Sequence, residues 1–382
     1  MWLRRPLSQE KRMRQKIKLA FLGGGLNSAI GRTHEIAIKM DNLYELVGGC
    51  FSTNAHINQK TADRWGVKCY KNYDELLKDR QDYDALIILT PTNLHFEHIK
   101  QALAHHIPII SEKTLVASLE EAQALQKIIT KNNLFLLTTY NYTGYPMVRE
   151  LESMIAHGKL GKLIQVNIQM PQESFIRLTK DGEKPSPQLW RLQDQTLSTM
   201  ALDLGTHLSN MVSFLTKEKP LETIALNNSF GHYNVVDNTI ALIKYSNNID
   251  CHMWFSKSAL GHKNGLRVEV YGTEGSAMWY QMNPEFLEFN DNVGRNILLD
   301  RSSKEVTLAE EERYNRFKSG HPAGFIEAFA NHYQDIYTAL INYLNNKSYT
   351  NKYVFNIEDA IESLTLMDAI ERSNTTKKWE TL

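Results

Sequence analysis

Residues 17–34 read IKLAFLGGGLNSAIGRTH, an apolar run that ends in three consecutive glycines and continues into a more polar segment. The run IKLAFLG (17–23) predicts a buried β-strand, and the residues from about 31 to 41 predict a helix. The glycines between them indicate a sharp turn from strand to helix. The same order of strand, turn and helix recurs along the chain up to residue 141.

Short apolar strands alternate with helices throughout this first part of the chain. Strands are predicted at 44–52, 68–70, 84–90, 107–111 and 134–141, and helices at 55–65, 73–79, 95–106 and 119–132. Such alternation indicates a parallel sheet that is covered on both faces, and right-handed crossovers make it doubly wound. We therefore predict an α/β fold with a Rossmann domain over residues 17–141.

After residue 141 the pattern changes to longer strand-like runs separated by short turns. One helix at 145–158 leads into them, and two helices at about 323–345 and 356–373 end the chain. Successive strands with short turns predict a C-terminal α+β domain (142–382) whose large sheet is mostly antiparallel and open on one face. The predicted strands lie at 163–170, 222–230, 238–246, 249–256, 266–273 and 275–281.

Composition narrows the class of protein. The chain has 382 residues, and its 43 lysines and arginines balance 43 aspartates and glutamates, which argues against a nucleic-acid binder. No apolar run approaches the roughly 18 residues of a membrane span. The cysteines are scattered, and no residue cluster indicates a metal site, so we expect a cytoplasmic protein without disulfides. Residues 1–16 are basic, lack the apolar centre of a secretory signal and are predicted to form a mobile arm.

The glycine-rich turn is suited to a dinucleotide. Gly23 and Gly25 fit a tight turn that lets the backbone approach a pyrophosphate at a helix N-terminus. In the GxGxxG spacing Ser28 occupies the third glycine position, and Gly31 comes three residues later, which indicates a short loop insertion. A glycine-rich turn can also be purely structural, but its place after the first strand favours dinucleotide binding. We predict that Gly23, Gly25 and Ser28 contact the cofactor.

Three further stretches carry a family resemblance: TPTNLHFEHIKQAL (90–103), IISEKT (109–114) and ALDLGTHLSN (201–210). Together they resemble the Gfo/Idh/MocA family, which is named after glucose–fructose oxidoreductase and inositol dehydrogenase. The resemblance extends from residue 17 to the last helices. It implies a Rossmann domain joined to an open-sheet domain, an NAD(P)-dependent activity, and assembly as a homodimer or homotetramer.

The resemblance assigns roles to the central polar residues. The family's EKP motif is present as Glu112-Lys113-Thr114, and its D-x-x-x-H motif as Asp203 and His207. It implies that Lys113 lies beside the nicotinamide and hydrogen-bonds the substrate hydroxyl, while His207 accepts the proton. Asp203 would orient the histidine ring or bind a neighbouring hydroxyl. Considered alone, such a histidine is more often an ordinary buried residue and such an aspartate a helix cap, but the motifs occur together and in family order.

The chemistry of hydride transfer agrees with these roles. The hydroxyl proton must leave as the C–H bond breaks, and a histidine with an unperturbed pKa of about 6.5 can accept it. An ammonium group stabilises the developing alkoxide in a site with little water. The resemblance also implies cofactor contacts from Glu112 and from Thr90, Asn93 and His95, although a capped helix start explains the last three equally simply. Trp190 and Arg191 resemble the family's WR pair near the substrate.

The second strand bears on the choice of cofactor. It ends in CFSTN (50–54), without the carboxylate that binds the ribose in many NAD proteins and without an arginine or lysine for the 2′-phosphate of NADP. Ser52 and Thr53 can hydrogen-bond either group. Because burying a phosphate dianion without a cation is costly, we predict NAD, with NADP as the alternative.

The sequence therefore predicts an NAD(P)-dependent dehydrogenase that oxidises a secondary ring hydroxyl of a sugar or inositol-like polyol, or catalyses the reverse. One alternative is a nucleotide-sugar 3-dehydrogenase. Another, of a different class, is a non-catalytic dinucleotide-binding sensor, which could dispense with Lys113, Asp203 and His207. The expected partners are a small-molecule substrate and further copies of the chain, with no nucleic acid and no membrane.

Overall fold

The computed structural model describes residues 16–349 and 351–382, so the predicted arm lies outside the described residues except for Lys16. Within these residues, a six-stranded sheet has the order β3-β2-β1-β4-β5-β6, and all its strand pairs are parallel. This order confirms the doubly wound Rossmann domain. Its strands are β1 (Ile17–Gly23), β2 (Tyr44–Cys50), β3 (Lys68–Cys69), β4 (Ala85–Leu89), β5 (Ile109–Glu112) and β6 (Leu136–Thr139).

All the predicted helices are present within a few residues of their predicted positions, and α7 is an additional helix. Several begin at polar N-caps, as when Ser28 accepts a hydrogen bond from the amide of Gly31 and Asn54 from that of Ile57. The helices are α1 (Ala29–Met40), α2 (Ala55–Trp65), α3 (Tyr73–Lys78), α4 (Thr92–Ala104), α5 (Leu119–Asn132), α6 (Pro146–Ala156), α7 (Thr206–Thr216), α8 (Phe325–Asn346) and α9 (Ile357–Thr376).

Both faces of the Rossmann sheet are buried. Every residue of β4 is buried, as the unbroken apolar run ALIIL requires of a central parallel strand. Residues of α3, α4 and α5 belong to the apolar cluster on one face. On the other face α1 and α2 are joined by α8, which buries Phe329 and Tyr333 in the same cluster as Phe21. A helix from the far end of the chain thus completes the N-terminal sheet, while the predicted boundary at residue 141 stays a prediction.

The C-terminal sheet has the order β14-β13-β12-β11-β7-β10-β9-β8-β15. Only β7 and β10 pair in parallel, so the predicted mostly antiparallel sheet is confirmed. The last three strands were not predicted, because they are two to five residues long and pair with an existing sheet edge. The strands are β7 (Leu163–Pro171), β8 (Pro220–Asn228), β9 (Asn238–Tyr245), β10 (Ile249–Ser256), β11 (Arg267–Gly272), β12 (Gly275–Tyr280), β13 (Leu287–Asp291), β14 (Asn296–Leu299) and β15 (Glu380–Thr381).

One face of this sheet packs against helices, and the other is open. α7 contacts β7, and α9 contacts β8. On the open face the cross-strand neighbours Leu226 and Ile240 are exposed, as is Leu242 two residues further along β9. Exposed apolar side chains on a broad sheet are suited to a contact between copies of the chain. The predicted homodimer or homotetramer stays a prediction.

A buried ion pair fixes α8 to the junction between the domains. Arg149, on α6, is fully buried and places its Nη2 2.7 Å from Oδ2 of Asp335, on α8. The same guanidinium donates to the hydroxyl of Tyr314 and to the carbonyl of Thr143. Asp335 accepts a second ion-pair bond from Arg313. All polar groups of the pair therefore have partners, as a buried charge requires.

Replacing Asp335 by asparagine tests this anchor. Asp335→Asn keeps the size of the side chain but leaves two guanidinium groups without a carboxylate, so we expect the free energy of unfolding to fall by about 3 kcal/mol. Denaturant unfolding measures the change. The matched control is Asp250→Asn, which breaks the exposed pair with Lys244 and is expected to leave stability nearly unchanged. Equal effects of the two substitutions would contradict the anchoring role.

Candidate active site

A cleft lies where the ends of β4 and β5 meet the C-terminal domain. The loop 172–199, the turn before α7 and the first turns of α8 also contribute to its wall. Of the residues predicted from the sequence, the cleft brings together Thr90, Asn93, Glu112, Lys113, Trp190, Arg191, Asp203 and His207. The other predicted residues, Gly23, Gly25, Ser28, Ser52, Thr53 and His95, do not line it.

Lys113 joins the two domains at the centre of the cleft. It follows the last residue of β5, and its Nζ lies 2.7 Å from the backbone carbonyl of Asp203 and 2.8 Å from Oδ1. The next residue, Thr114, replaces the family's proline, and the Lys113–Thr114 peptide bond is cis. The Thr114 hydroxyl donates to the carbonyl of Leu202 and lies 3.0 Å from the hydroxyl of Thr206. The segment after β5 is thereby fixed to the turn that carries Asp203.

The carboxylate of Asp203 forms ion pairs with three cationic side chains. The residue lies in a π-helical turn, Ala201–Gly205, directly before α7. Its carboxylate accepts from Lys113, from Lys257 at 2.7 Å and from Arg191. Burial opposes ionisation of Asp203, but the charges of these cations outweigh it and hold the pKa of the carboxyl well below its usual range. The carboxylate makes no hydrogen bond to His207 in the described chain, so it positions the cations and does not orient the ring.

His207 is the second residue of α7, and its ring packs between aromatic neighbours. The ring meets Tyr140 and Tyr142 edge-on, with centroid distances of 5.8 and 4.7 Å. Among residues 16–349 and 351–382, nothing hydrogen-bonds its nitrogens, and the residue lines the cleft. Burial lowers the pKa of His207 well below its usual value, and the charge of Lys113 lowers it further. The ring is therefore neutral at neutral pH and can accept a proton.

Glu112 belongs to a buried network beneath the cleft. Its Oε1 accepts from the Thr139 hydroxyl and lies 2.9 Å from Nε2 of His34. The other ring nitrogen of His34 bonds the hydroxyl of Tyr333, on α8. Burial disfavours the ionised form of Glu112, but the hydrogen bond from His34 holds the pKa of the carboxyl below its usual range. The network connects α1, β5 and α8 behind the catalytic candidates.

The glycine turn has the shape that a dinucleotide requires. Gly23 has φ +83°, and a Cβ there would lie 2.9 Å from the backbone of Leu89. A Cβ on Gly31 would come within 1.8 Å of the carbonyl oxygen of Gly24, so the helix can approach the turn only with glycine at this position. Gly31 therefore has the role of the third glycine in the GxGxxG spacing, and the side chain of Ser28 caps the N-terminus of α1. The first turn of α1 carries no acidic side chain that would repel a pyrophosphate.

Two of the predicted residues, His95 and Thr90, bond to other groups of the Rossmann domain. His95 is buried, and its ring nitrogens lie 2.9 Å from the carbonyl of Thr114 and 2.7 Å from that of Thr90. The ring braces the two segments that end at the cleft and does not itself face it. The hydroxyl of Thr90 lies 3.0 Å from Nδ1 of His98, so it already has a partner within the domain.

Sequence reasoning missed Lys257, His34 and Tyr142. Lys257 follows β10 and is almost fully buried, with its charge on Asp203. The sequence carried little signal for it, because β10 (IDCHMWFS) alternates between buried and exposed residues and contains Asp250 and His252, unlike the buried strand before Lys113. Tyr142 packs on His207, and its hydroxyl accepts from Asn264, but nothing in the sequence around it indicated this contact.

The family comparison agrees with this geometry. Residues 17–140 match the model of an oxidoreductase family with an NAD-binding Rossmann fold, and residues 148–278 match the GFO/IDH/MocA C-terminal domain. The chain belongs to the Gfo/Idh/MocA oxidoreductase family. This membership confirms the predicted family, the oxidoreductase class and NAD as the cofactor of the Rossmann domain.

Individual relatives of this Gfo/Idh/MocA oxidoreductase support the assignment. The chain is 28% identical over 343 residues to the oxidoreductase YfiI of Bacillus subtilis, covering 86% of each chain. It is 24% identical to a glucose-6-phosphate 3-dehydrogenase of Bacillus subtilis, covering 72% of this chain and 78% of the relative. A crystal structure of an inositol dehydrogenase homolog from Azotobacter vinelandii, complexed with NADH and myo-inositol, matches with a TM-score of 0.86. Its identity is 24%, and the match covers 96% of this chain and 98% of that one.

Two further features of the oxidoreductase concern membranes and metals. In the part of the chain that the structure describes, no helix combines the length and apolar character needed to cross a bilayer. Over the same residues, no three His, Cys, Asp or Glu side chains are grouped so that they could hold a metal ion. The cytoplasmic location stays a prediction.

The lowered pKa of His207 predicts a pH profile. If its neutral ring accepts the proton, kcat/KM for oxidation should stay level as the pH falls through about 6.5, the usual pKa of histidine, and decline only at lower pH. Initial rates of NAD reduction across this range measure the profile, and NADH affinity over the same range is the control. A decline centred at or above the usual histidine pKa would contradict the role of His207.

Proposed function

We propose that this oxidoreductase oxidises a secondary ring hydroxyl of a sugar or cyclic polyol to a ketone, or reduces the ketone in the reverse direction. The observation that carries the proposal is the pairing, in one cleft, of the Lys113 ammonium with the neutral ring of His207. The resemblance to relatives named for a sugar phosphate and for inositol supports a ring hydroxyl as the reacting group.

The residues that would hold NAD are those of the glycine turn and of the strand ends beside it. Gly23 and Gly25 permit the backbone to approach the pyrophosphate, and the N-terminus of α1 offers amide groups to it. Thr90 follows β4, Asn93 lies in the first turn of α4 and Glu112 ends β5, and all three line the cleft. NAD, when bound, accepts the hydride from the carbinol carbon during oxidation.

Lys113 has the donor that a substrate hydroxyl needs. An ammonium group carries three N–H donors. Two of them are used by the carbonyl and the carboxylate of Asp203, at 2.7 and 2.8 Å. The third is left for the substrate oxygen. Because Asp203 also keeps the ammonium in place, little reorganisation is required when negative charge develops on that oxygen.

His207 supplies the complementary acceptor. Its ring is neutral, lines the cleft and makes no hydrogen bond in the described chain, so a nitrogen is free to take the hydroxyl proton. In the reverse direction the same nitrogen returns the proton to the carbonyl oxygen. Tyr140 and Tyr142 hold the ring edge-on and keep water from its faces.

A substrate panel tests the proposal. Sugars, inositols and UDP-sugars are offered with NAD and NADP, and turnover is read from the absorbance of the reduced nicotinamide. Turnover of sugars or inositols supports the proposal, and turnover of UDP-sugars alone would favour the alternative nucleotide-sugar 3-dehydrogenase. Tight dinucleotide binding without turnover of any member would favour the non-catalytic sensor.

Substitution of the two central residues separates chemistry from cofactor binding. We expect Lys113→Ala and His207→Ala each to lower kcat by about 10² or more, since each removes an electrostatic or acid–base group from the reaction. NADH affinity, measured by fluorescence, should stay close to wild type. The matched controls are Lys100→Ala and His105→Ala, which change exposed residues at the end of α4. Near wild-type turnover in either test variant would refute the role of that residue.

The end of β2 generates a prediction of cofactor preference. Ser52 accepts a hydrogen bond from the amide of Asn54, and Thr53 is exposed. Residues 51–57 of the chain contain no carboxylate, lysine or arginine, so nothing with a fixed charge meets a 2′-phosphate there. We expect NADH to bind more tightly than NADPH. Fluorescence titration measures the affinity for each cofactor, and a tenfold preference for NADPH would overturn the prediction.

A further inference from the structure

The cleft holds more positive charge than its carboxylates balance. Lys113, Arg191 and Lys257 all bond to the single carboxylate of Asp203. Among the described residues that line the cleft, the other carboxylate is Glu112, and it bonds His34 and Thr139 instead of any of these cations. Lys113, Arg191 and Lys257 therefore share a single carboxylate as their anionic partner.

This surplus is costly in a protein interior unless a further anion meets it. The side chain of Lys257 is 3% exposed and that of Lys113 is 16% exposed, so water screens their charges poorly. The proposed oxidation uses the charge of Lys113. Since the Asp203 carboxylate offsets one of the three positive charges, one further positive charge is left uncompensated beside a neutral ring alcohol.

Arg191 presents unused donors to the cleft. One of its N–H groups bonds Asp203, while Nε and Nη2 have no protein partner in the described part of the chain. The guanidinium lies 4.3 Å from the ring centroid of Trp190, which holds it in place. Gln193 and Gln195 also line this side, and no side-chain hydrogen bond of either is present in residues 16–349 and 351–382. These three side chains form a wall of free N–H donors on the loop 172–199.

We propose that the substrate carries an anionic group, a phosphate monoester or a carboxylate, that binds to Arg191 with Gln193 and Gln195 beside it. This inference rests on the proposed function and narrows its substrate class. A guanidinium matches two oxygens of either group at once. The 2′-phosphate of NADP is not the anion in question, because it would lie at the end of β2, whose Ser52 and Thr53 do not line the cleft.

Matched pairs of probes test the proposal with the full-length protein. D-glucose is compared with D-glucose 6-phosphate and D-glucuronate, and myo-inositol with its monophosphate. Calorimetric titration in the presence of NADH, under which no hydroxyl can be oxidised, gives each Kd independently of turnover. We expect the anionic member of at least one pair to bind on the order of 10- to 100-fold more tightly than the neutral member. Comparison of the phosphate with the carboxylate distinguishes the two anions.

Two substitutions locate the effect. Arg191→Gln should reduce the ratio of anionic to neutral affinity to near one, because the amide keeps the length of the contact but not its charge. Arg177→Gln is the control, since Arg177 lies on the same loop, is exposed and pairs with Glu173 away from the cleft. It removes the same charge and should leave the ratio unchanged. A role of Arg191 in positioning Asp203 alone would weaken both members of a pair equally.

The outcomes separate this inference from the proposed function. Equal affinity within every pair, an anionic preference that survives in Arg191→Gln, or no measurable binding of any probe would overturn the inference. Turnover of neutral sugars as efficient as that of their anionic partners would also overturn it while leaving the proposed function intact. Anionic binding that depends on Arg191, without turnover on addition of NAD, would contradict the function and support the inference.

Discussion

The carboxylate of Asp203 is the interaction on which the cleft depends. Lys113 reaches it from the Rossmann domain, Lys257 from the end of β10 and Arg191 from the loop over the cleft. Each cation would be costly to bury alone, and the shared carboxylate lowers that cost for all of them. The two domains are joined at this point, because Lys113 follows a strand of the Rossmann sheet while Asp203 and Lys257 belong to the C-terminal part of the chain. The same ion pairs hold the Lys113 ammonium group in place. They also fix the guanidinium of Arg191, which makes the facing wall of the cleft positively charged.

Asp203 and His207 illustrate how neighbouring charges can produce different charge states at two buried positions. Burial disfavours charge on both side chains. Asp203 stays ionised because three cations surround it, whereas His207 faces aromatic rings and the cation of Lys113, so it stays neutral. A spacing of four residues, as between these two, places side chains on one face of a regular helix. Asp203 lies in a π-helical turn and His207 in the α-helix that follows it, and both residues line the cleft.

The sequence predicted those features whose cause is local. Long apolar runs such as β4 and glycine turns such as 23–25 carry their own periodicity and conformational requirement, so their elements were placed within a few residues. The short strand β15 and the packing of α8 on the Rossmann sheet depend on partners far along the chain. The same holds for the site: the residues that belong to local motifs, Lys113, Asp203 and His207, could be identified from the sequence. The bond of Lys257 to Asp203 and the brace made by His95 arise only when distant segments meet.

The position of α8 has a consequence for how the protein is made. One face of the N-terminal sheet, with Phe21 and Phe135 in its core, is closed by a helix that ends at Asn346. During synthesis this sheet and its helices α1 and α2 can form long before α8 leaves the ribosome, so the part of the apolar face that α8 covers stays open while about two hundred further residues are added. In the order of synthesis, most of the second domain therefore comes between the strands of the Rossmann sheet and the helix that completes their packing. The final packing of the cofactor domain therefore waits until α8 has been synthesised.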